Sequence, residues 1–340
     1  MKEKLKILPN WSKVKTLFLA FPTMENRLDC IKNYLELIYT IIQDVIKENF
    51  KICIICDKGK IEYVKKLVFE YKNLKEYNLS QNIEFIEQNI IDIWVRDWLS
   101  IGNVKINNKS TLIKATYNPR YALETCLTDD ACGRKIAEKY SKEHFITCPF
   151  ILDGGNVIVN DKYILCTEEL FIENYKSFTI EQIKQYFEDN FEQKLIILPK
   201  DPISPISHVD SIVQFIDNET VLLPSYPDSV EYRVDEKYIS EVYKILKENL
   251  DINTKYLFIP SDLSEEIHDC IFSDAYNYIN FLRINDNIYM PSFKDGQDYE
   301  REILKIFKKN LPNINLNFVP CDEIASKGGC FSCVTNCLYE

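Results

Sequence analysis

The spacing of apolar residues in the first third of the chain predicts strands that alternate with helices. Short apolar or alternating runs predict strands at Lys15–Pro22, Phe50–Cys56 and Ile83–Glu87. Apolar residues at helical spacing predict a long helix over Arg27–Asn49 and a shorter one over Lys60–Tyr71. This alternation is typical of an α/β fold.

A different pattern, two strands around an Asn/Asp turn, then occurs four times. Asn and Asp accept the backbone conformations that join the strands of a hairpin. The predicted strand pairs are Ile101–Ile106 with Thr111–Tyr117, Val157–Val159 with Tyr163–Thr167, Ile212–Ile216 with Thr220–Pro224, and Phe281–Ile284 with Asn287–Pro291. Helical patterns lie between or after them at Asp130–Glu143, Thr179–Phe191, Asp235–Asn249 and Gln297–Lys309. The units begin roughly 55 to 70 residues apart, which indicates a repeat architecture.

A fifth unit begins at Gly328-Gly329 and runs into Cys333, but the chain ends before a returning strand. The unpaired strand Lys15–Pro22 can complete this unit, and the ring of units then closes as it does in propellers. No Ser/Gly/Pro-rich linker divides the chain. We therefore predict a single domain over residues 1–340, built from five units of hairpin plus helix.

Polar residues occupy equivalent strand starts in these units, and in a closed ring such positions converge on the central axis. The residues concerned are Asp97, Asp153, His208, Asp210, Asn280 and Cys333. His208 and Asp210 are two residues apart and would share one face of a strand. The chain has only three histidines, and the other two, His144 and His268, lie in ordinary polar contexts. A thiol, an imidazole and three carboxylates are thus expected to meet.

Each of these signals also has a structural interpretation. Trp94-Val-Arg-Asp97 can be a buried Arg–Asp pair, and Asp153-Gly-Gly-Asn156 can be a simple turn. The two glycines run directly into a strand, however, which favours a close approach of the backbone to a group in the central cavity.

Three cysteines close to the end of the chain, Cys330-x2-Cys333-x3-Cys337, superficially resemble a zinc or iron–sulfur ligand set. A strand that starts at Gly329 would direct Cys330 and Cys333 to opposite faces, and no second pair of cysteines completes four ligands. We therefore expect no metal, with Cys330 and Cys337 as packing residues.

Composition narrows the possible partners. The net charge of −11 argues against nucleic acid, because phosphate binding needs clustered Lys and Arg, whereas it suits a small cationic substrate. No signal peptide or membrane span is evident. Twelve cysteines without such a signal predict reduced thiols in a cytoplasmic protein, with Cys53 and Cys56 in the core. A homo-oligomer is compatible with the sequence, which does not define the oligomeric state.

Five short motifs follow one another over nearly the whole chain. They are Trp94-x-Arg-Asp97, Asp153-Gly-Gly-Asn156, Ser207-His208-Val-Asp210, Tyr278-Ile-Asn-Phe281 and the final Gly-Gly-x3-Cys333. In order and spacing they resemble the agmatine deiminase family, which includes the bacterial peptidylarginine deiminases. The resemblance implies a five-bladed α/β propeller, the pentein fold of guanidino-group-modifying enzymes, in agreement with the five units.

The resemblance also implies roles for individual residues. Cys333 would be the nucleophile that attacks the guanidinium carbon, and His208 would be the general acid and then the base. Asp97 and Asp210 would each accept two guanidinium N–H groups, and Asp153 stands where relatives usually have Glu. Substrate contacts are expected from Trp94, Asp153, Asn156, Asn280, Gly329 and Arg120. No metal or organic cofactor is implied.

The leading interpretation is hydrolysis of agmatine to N-carbamoylputrescine and ammonia, which feeds polyamine synthesis. The alternatives are a deiminase for free or peptidyl arginine and a catalytically inactive propeller used as a binding module. Arg120 bears on the first alternative, since a cation in the pocket would bind a substrate carboxylate; it can equally be a solvated loop residue. Trp98 and Ser332 depart from the family pattern and concern the substrate pocket.

Overall fold

A computed structural model describes residues 4–77, 79, 81–121, 126–141, 145–228, 233–262 and 276–340. These residues form five separate sheets interspersed with helices, which confirms the α/β class. The strands are β1 (Val14–Ala20), β2 (Lys51–Cys56), β3 (Ile83–Glu87), β4 (Gly102–Ile106), β5 (Lys109–Thr116), β6 (Ile146–Ile151), β7 (Ile158–Val159), β8 (Tyr163–Thr167), β9 (Lys194–Leu198), β10 (Gln214–Phe215), β11 (Thr220–Ser225), β12 (Lys255–Pro260), β13 (Leu282–Ile284), β14 (Asn287–Ser292), β15 (Asn315–Pro320) and β16 (Thr335–Tyr339).

Four of the sheets have the same topology. Each begins with the predicted antiparallel hairpin, and a third strand then lies parallel to the second one. Asn107, Asn108 and Asn285 adopt positive φ in the hairpin turns, as the Asn/Asp signal predicted. The third strands β6, β9, β12 and β15 were not part of the predicted hairpin-plus-helix unit. Their partner is a strand some 30 residues earlier, beyond the reach of any local hairpin signal.

The fifth sheet joins the two ends of the chain, as predicted. β16 pairs antiparallel with β1, with Leu17 opposite Cys337, and β1 pairs parallel with β2 and β2 with β3. β16 and β1 thus form a hairpin whose two strands come from opposite ends of the sequence. Five sheets of repeated topology agree with a five-bladed propeller, and the circular arrangement of the blades stays a prediction.

Six of the helices within the described residues correspond to the predicted helices, and three short ones, Val95–Leu99, Glu169–Asn174 and Asp322–Ala325, were not predicted. These helices are, in chain order, α1 (Ile31–Glu48), α2 (Ile61–Glu70), α3 (Val95–Leu99), α4 (Cys126–Tyr140), α5 (Glu169–Asn174), α6 (Ile180–Asn190), α7 (Arg233–Asn249), α8 (Gln297–Asn310) and α9 (Asp322–Ala325). The first part of the predicted helix Arg27–Asn49 is a 3-10 turn, Glu25–Cys30. The apolar faces of the helices pack on the sheets in four clusters of buried side chains.

Helical turns, and not strand starts, hold the polar residues singled out in the sequence. Asp97 lies in α3, and 3-10 turns occupy Gly154–Asn156 and Val209–Ser211. The prediction that His208 and Asp210 share a strand face is therefore wrong. The backbone there forms a 3-10 turn, since the Ile212 amide donates to the Val209 carbonyl at 3.0 Å.

The cysteine-rich end of the chain also forms a turn where the sequence predicted a strand. Residues 331–334 form a turn in which the Val334 amide donates to the Cys330 carbonyl at 3.3 Å, so the predicted strand alternation of Cys330 and Cys333 is also wrong. Cys330, Cys337, Cys53 and Cys56 are buried, and burial raises the pKa of Cys53 and Cys56 to about 12. In the described part of the chain, no helix is long and apolar enough to cross a membrane.

The first turn of α6 gives a test of local stability. The Thr179 hydroxyl accepts from the Gln182 amide (3.2 Å), and the Gln182 side chain accepts from the Thr179 amide (2.8 Å). We expect Thr179→Ala to lower the free energy of unfolding by about 1 kcal/mol, because an amide donor of the helix loses its partner. Thr179→Ser, which keeps the oxygen, should lose far less in the same urea titration. Equal losses in the two variants would contradict this role of the hydroxyl.

Candidate functional site

The helical turns bring His208 between two carboxylates. Its Nδ1 lies 3.4 Å from Asp97 Oδ1, and its Nε2 lies 3.1 Å from Asp153 Oδ2. All three side chains are buried. Asp153 therefore reaches the imidazole in spite of its short side chain. The sequence motifs that contain Asp97, Asp153 and His208 are far apart in the chain, and the fold makes them one cluster.

The electrostatics of this cluster are dominated by burial and by mutual attraction. Burial opposes a charge on His208, but Asp97, Asp153 and Asp210 outweigh it and raise the pKa of His208 to about 9. Burial, together with Asp153 and Asp210, raises the pKa of Asp97 to about 7 against the opposing effect of His208. At neutral pH the imidazole is consequently charged, while Asp97 is close to its midpoint.

Asp210 lies next to this cluster on the 3-10 turn that follows His208. Its Oδ2 accepts a hydrogen bond from the Ser332 hydroxyl at 2.7 Å. Its Oδ1 is buried and accepts no hydrogen bond from the described residues, and the same is true of Asp153 Oδ1. Burial raises the pKa of Asp210, although His208 and Ser332 oppose the shift. Buried carboxylate oxygens without donors are costly, and they suit a ligand that brings N–H groups.

Cys333 is held in place by Asn280, as the repeat phase of the two residues suggested. The Asn280 amide group donates to Cys333 Sγ at 3.3 Å, and its oxygen accepts from the Cys330 amide at 3.1 Å. Arg96 holds the same turn from the other side, because its Nε donates to the Ser332 carbonyl at 3.0 Å and its amide donates to the Cys333 carbonyl at 3.1 Å. The thiol is thereby fixed from two elements.

Two glycines allow the close packing of the cluster. A Cβ on Gly155 would lie 2.6 Å from His208 Nδ1 and 2.7 Å from Asp97 Oδ1, and the Gly155 amide donates to that oxygen at 3.0 Å. A Cβ on Gly329 would lie 2.7 Å from the Trp94 ring and 3.0 Å from the Cys333 sulfur. The predicted close approach of the backbone at Asp153-Gly-Gly is confirmed. Gly329 packs between Trp94 and Cys333.

Asn156 contributes by supporting the backbone before His208. Its side-chain oxygen accepts from the Thr167 amide at 2.9 Å. The Thr167 hydroxyl lies 3.1 Å from that oxygen and donates to the Ser207 carbonyl at 2.8 Å. Ser207 has φ of 53°, a backbone conformation that is uncommon for non-glycine residues. This chain of contacts orients the turn that presents His208.

Arg120 does not join the cluster. Its side chain is 54% exposed and pairs with Glu173 at 3.2 Å and with Glu169 at 3.4 Å. The two other histidines weighed in the sequence, His144 and His268, lie outside the described residues. Among the residues that the structure describes, no group of three or more His, Cys, Asp or Glu side chains could hold a metal ion.

Tyr121 belongs to the site although the sequence motifs did not include it. Its hydroxyl donates to Asp153 Oδ2 at 2.5 Å and lies 3.5 Å from His208 Nε2. A tyrosine at the end of a loop carries no spacing signal, so only its position in the fold identifies it. The assembled site thus combines a thiol, an imidazolium and buried carboxylates, which can bind a planar cation and attack it with sulfur.

Known proteins are similar to the chain over most of its length. Residues 6–338 match the family model of the Porphyromonas-type peptidyl-arginine deiminases. An agmatine deiminase of Pseudomonas aeruginosa is 26% identical over 300 residues, which cover 78% of this chain and 79% of the relative. One from Pseudomonas syringae is 27% identical with the same coverage.

Solved structures share the fold. The agmatine deiminase of C. jejuni superposes with a TM-score of 0.80 at 21% identity, covering 99% of this chain and 97% of the other. A cysteine-to-serine variant of that enzyme with substrate bound gives 0.79 at 20% identity, covering 99% and 96%. The agmatine deiminase of Enterococcus faecalis gives 0.80 at 17% identity, covering 100% and 99%.

The raised pKa of His208 leads to a prediction for the free protein. Because the pKa is about 9 when folded against 6.5 ordinarily, charged His208 stabilises the fold below pH 6.5, and this contribution is lost between pH 6.5 and about 9. We expect an imidazole NMR signal that titrates near 9 and is absent from His208→Gln. In Asp97→Asn the pKa of His208 should fall, because the negative charge of Asp97 contributes most to raising it. An unchanged value in that variant would contradict the coupling.

Proposed function

Since the chain belongs to the Porphyromonas-type peptidyl-arginine deiminase family, we propose that it hydrolyses agmatine to N-carbamoylputrescine and ammonia. The observation that carries the proposal is the buried cluster of Asp97, Asp153 and Asp210 beside Cys333 and His208. Two of these carboxylates keep an oxygen without a hydrogen bond from the described residues. A guanidinium supplies five N–H donors in a plane and one positive charge, which is what such oxygens require.

In the proposed first half-reaction the thiolate of Cys333 attacks the guanidinium carbon and a C–S bond forms. The charged His208 gives its proton to one terminal nitrogen, the C–N bond breaks, and ammonia leaves. A cationic amidino-thioether remains on the sulfur. Asp97 and Asp210 would hold the substrate N–H groups, and the Asn280 amide at 3.3 Å from the sulfur favours its anionic form.

In the second half-reaction water attacks the same carbon, and the now neutral His208 takes a proton from it. The C–S bond breaks and the thiolate is regenerated. The oxygen that came from water then loses its second proton to the solvent, which leaves the urea carbonyl. Asp153 and Asp97, on either side of the ring, stabilise the imidazolium that forms again. The proposed catalytic domain spans residues 1–340, because β1 and β16 complete one sheet next to Cys333.

The surroundings of His208 favour agmatine over arginine. The cavity wall that carries Asp153 and His208 also includes Glu169 and Glu173, and no Lys or Arg is among its described lining residues. Arg120 is paired with these two glutamates, and Lys200 contacts Glu169. A substrate carboxylate would meet acidic groups there, whereas the amine of agmatine would not be repelled. The curated relatives, which are agmatine deiminases, support the same choice.

The proposal is tested by ammonia release from agmatine, free arginine and a blocked arginyl peptide. We expect agmatine to have the highest kcat/KM, because the described residues that line the cavity at Asp153 and His208 include Glu169 and Glu173 and no Lys or Arg. Cys333→Ala should reduce turnover by at least about 10³-fold, since the nucleophile is lost. Cys337→Ala, a buried cysteine in β16, is the matched control and should remain active.

If kcat/KM is higher for arginine or for the peptide than for agmatine, the proposed substrate is wrong, although the proposed deimination reaction still stands. Turnover by a folded Cys333→Ala variant comparable to the parent protein would overturn the covalent mechanism.

Binding should depend on pH through Asp97. Its pKa of about 7 means that the carboxyl is largely protonated at pH 5 to 6, and a guanidinium binds only the ionised form. For Cys333→Ser, which cannot turn over, we expect agmatine affinity to rise by up to about tenfold per pH unit towards pH 7 and then to change less. Isothermal titration calorimetry measures this directly. A dissociation constant that is flat between pH 5 and 7 would refute the role of Asp97.

A further inference from the structure

Tyr121 contacts the site, and the proposed reaction assigns it no role. Its partly buried phenol lies against Asp153 and edge-on to His208, with ring centroids 6.0 Å apart at 69°. The hydroxyl donates to Asp153 Oδ2 at 2.5 Å, and this is the same oxygen that His208 Nε2 contacts at 3.1 Å. One carboxylate oxygen therefore serves two partners.

The other oxygen of Asp153 has no hydrogen bond from the described residues. Among the described residues, Tyr121 and His208 are thus the hydrogen-bond partners that orient this carboxylate. A phenol that donates to a carboxylate stabilises its negative charge and uses part of its capacity to accept. The phenol therefore weakens the hydrogen bond between the same carboxylate oxygen and the imidazolium of His208.

We propose that Tyr121 is a positioning residue that acts on His208 through Asp153, fixing the shared oxygen and limiting how strongly it retains the imidazolium proton. The inference rests on the proposed function, in which His208 must give its proton to the leaving ammonia. A phenol at this point keeps His208 a usable acid between two carboxylates that would otherwise hold the proton more tightly.

Other charged or titratable groups face the same centre and remain unchanged when the phenol is removed. Asp97 and Asp210 raise the pKa of His208 together with Asp153. Lys114 and Tyr117 lie within electrostatic reach of Asp153. In the described part of the chain, the hydrogen-bond partners of Asp153 Oδ2 are Tyr121 and His208, so the effect of the Tyr121 hydroxyl can be separated from that of these four groups.

The test is Tyr121→Phe, which keeps the ring and its packing and removes only the hydroxyl. We expect the NMR pKa of His208 to rise in the free protein, kcat for agmatine to fall by at least about fivefold, and KM to stay within about twofold. Tyr117→Phe is the matched control. It is a buried tyrosine four residues earlier whose hydroxyl makes no hydrogen bond to the described residues, and it should change neither quantity.

The same substitution in the Asp153→Asn variant tests whether Tyr121 acts on His208 through the carboxylate of Asp153. In Asp153→Asn the carboxylate is absent, so adding Tyr121→Phe should cause no further change in the His208 pKa. An unchanged or lower His208 pKa in Tyr121→Phe, or the same shift in Tyr117→Phe, would overturn the proposal. The NMR measurement needs no substrate. Failure of agmatine turnover would therefore count against the proposed function, while the coupling of Tyr121 to His208 would be judged separately.

Discussion

Burial of several carboxylates around one imidazole is the constraint on which the rest of the site depends. Asp97, Asp153, Asp210 and His208 are all removed from water, and a buried charge is destabilising unless a partner compensates for it. His208 offsets part of the negative charge, and hydrogen bonds from Ser332, Tyr121 and the Gly155 amide offset more. The remaining carboxylate oxygens suit a cationic substrate. The excess of buried negative charge that destabilises the free protein therefore favours substrate binding.

The fold maintains this arrangement by placing a helical turn before the first strand of successive sheets. A turn can direct a side chain and several backbone amides to one point, whereas successive side chains of an extended strand point to opposite faces. Gly155 and Gly329 then allow two turns to approach the cluster more closely than any side chain would permit. Asn280 accepts a hydrogen bond from the Cys330 amide, and Asn156 is connected to Ser207 through Thr167. Position of the reactive groups is thus a property of the packing between units.

Several features could be read from the chain alone because their cause is local. Asn/Asp turns between apolar runs identified four hairpins, and helical spacing identified α1, α6 and α8 within a few residues. The unpaired ends identified the β1–β16 pair. The third strand of each three-stranded sheet was missed, since its parallel partner lies a helix away along the chain. The strand assignment of His208 and Asp210 failed because period two alone does not exclude a 3-10 turn.

The sequence by itself therefore determined the repeat, the five motifs, the chemical types of the site residues and the resemblance to a guanidino-modifying family. Only the tertiary structure decided the distances that make those types a site: His208 between Asp97 and Asp153, and Cys333 against Asn280. It also decided that Tyr121 belongs to the cluster and that Arg120 pairs with glutamates away from it. The physical reason is that hydrogen bonding and burial act across units separated by 50 or more residues, where the linear pattern carries no information about contact.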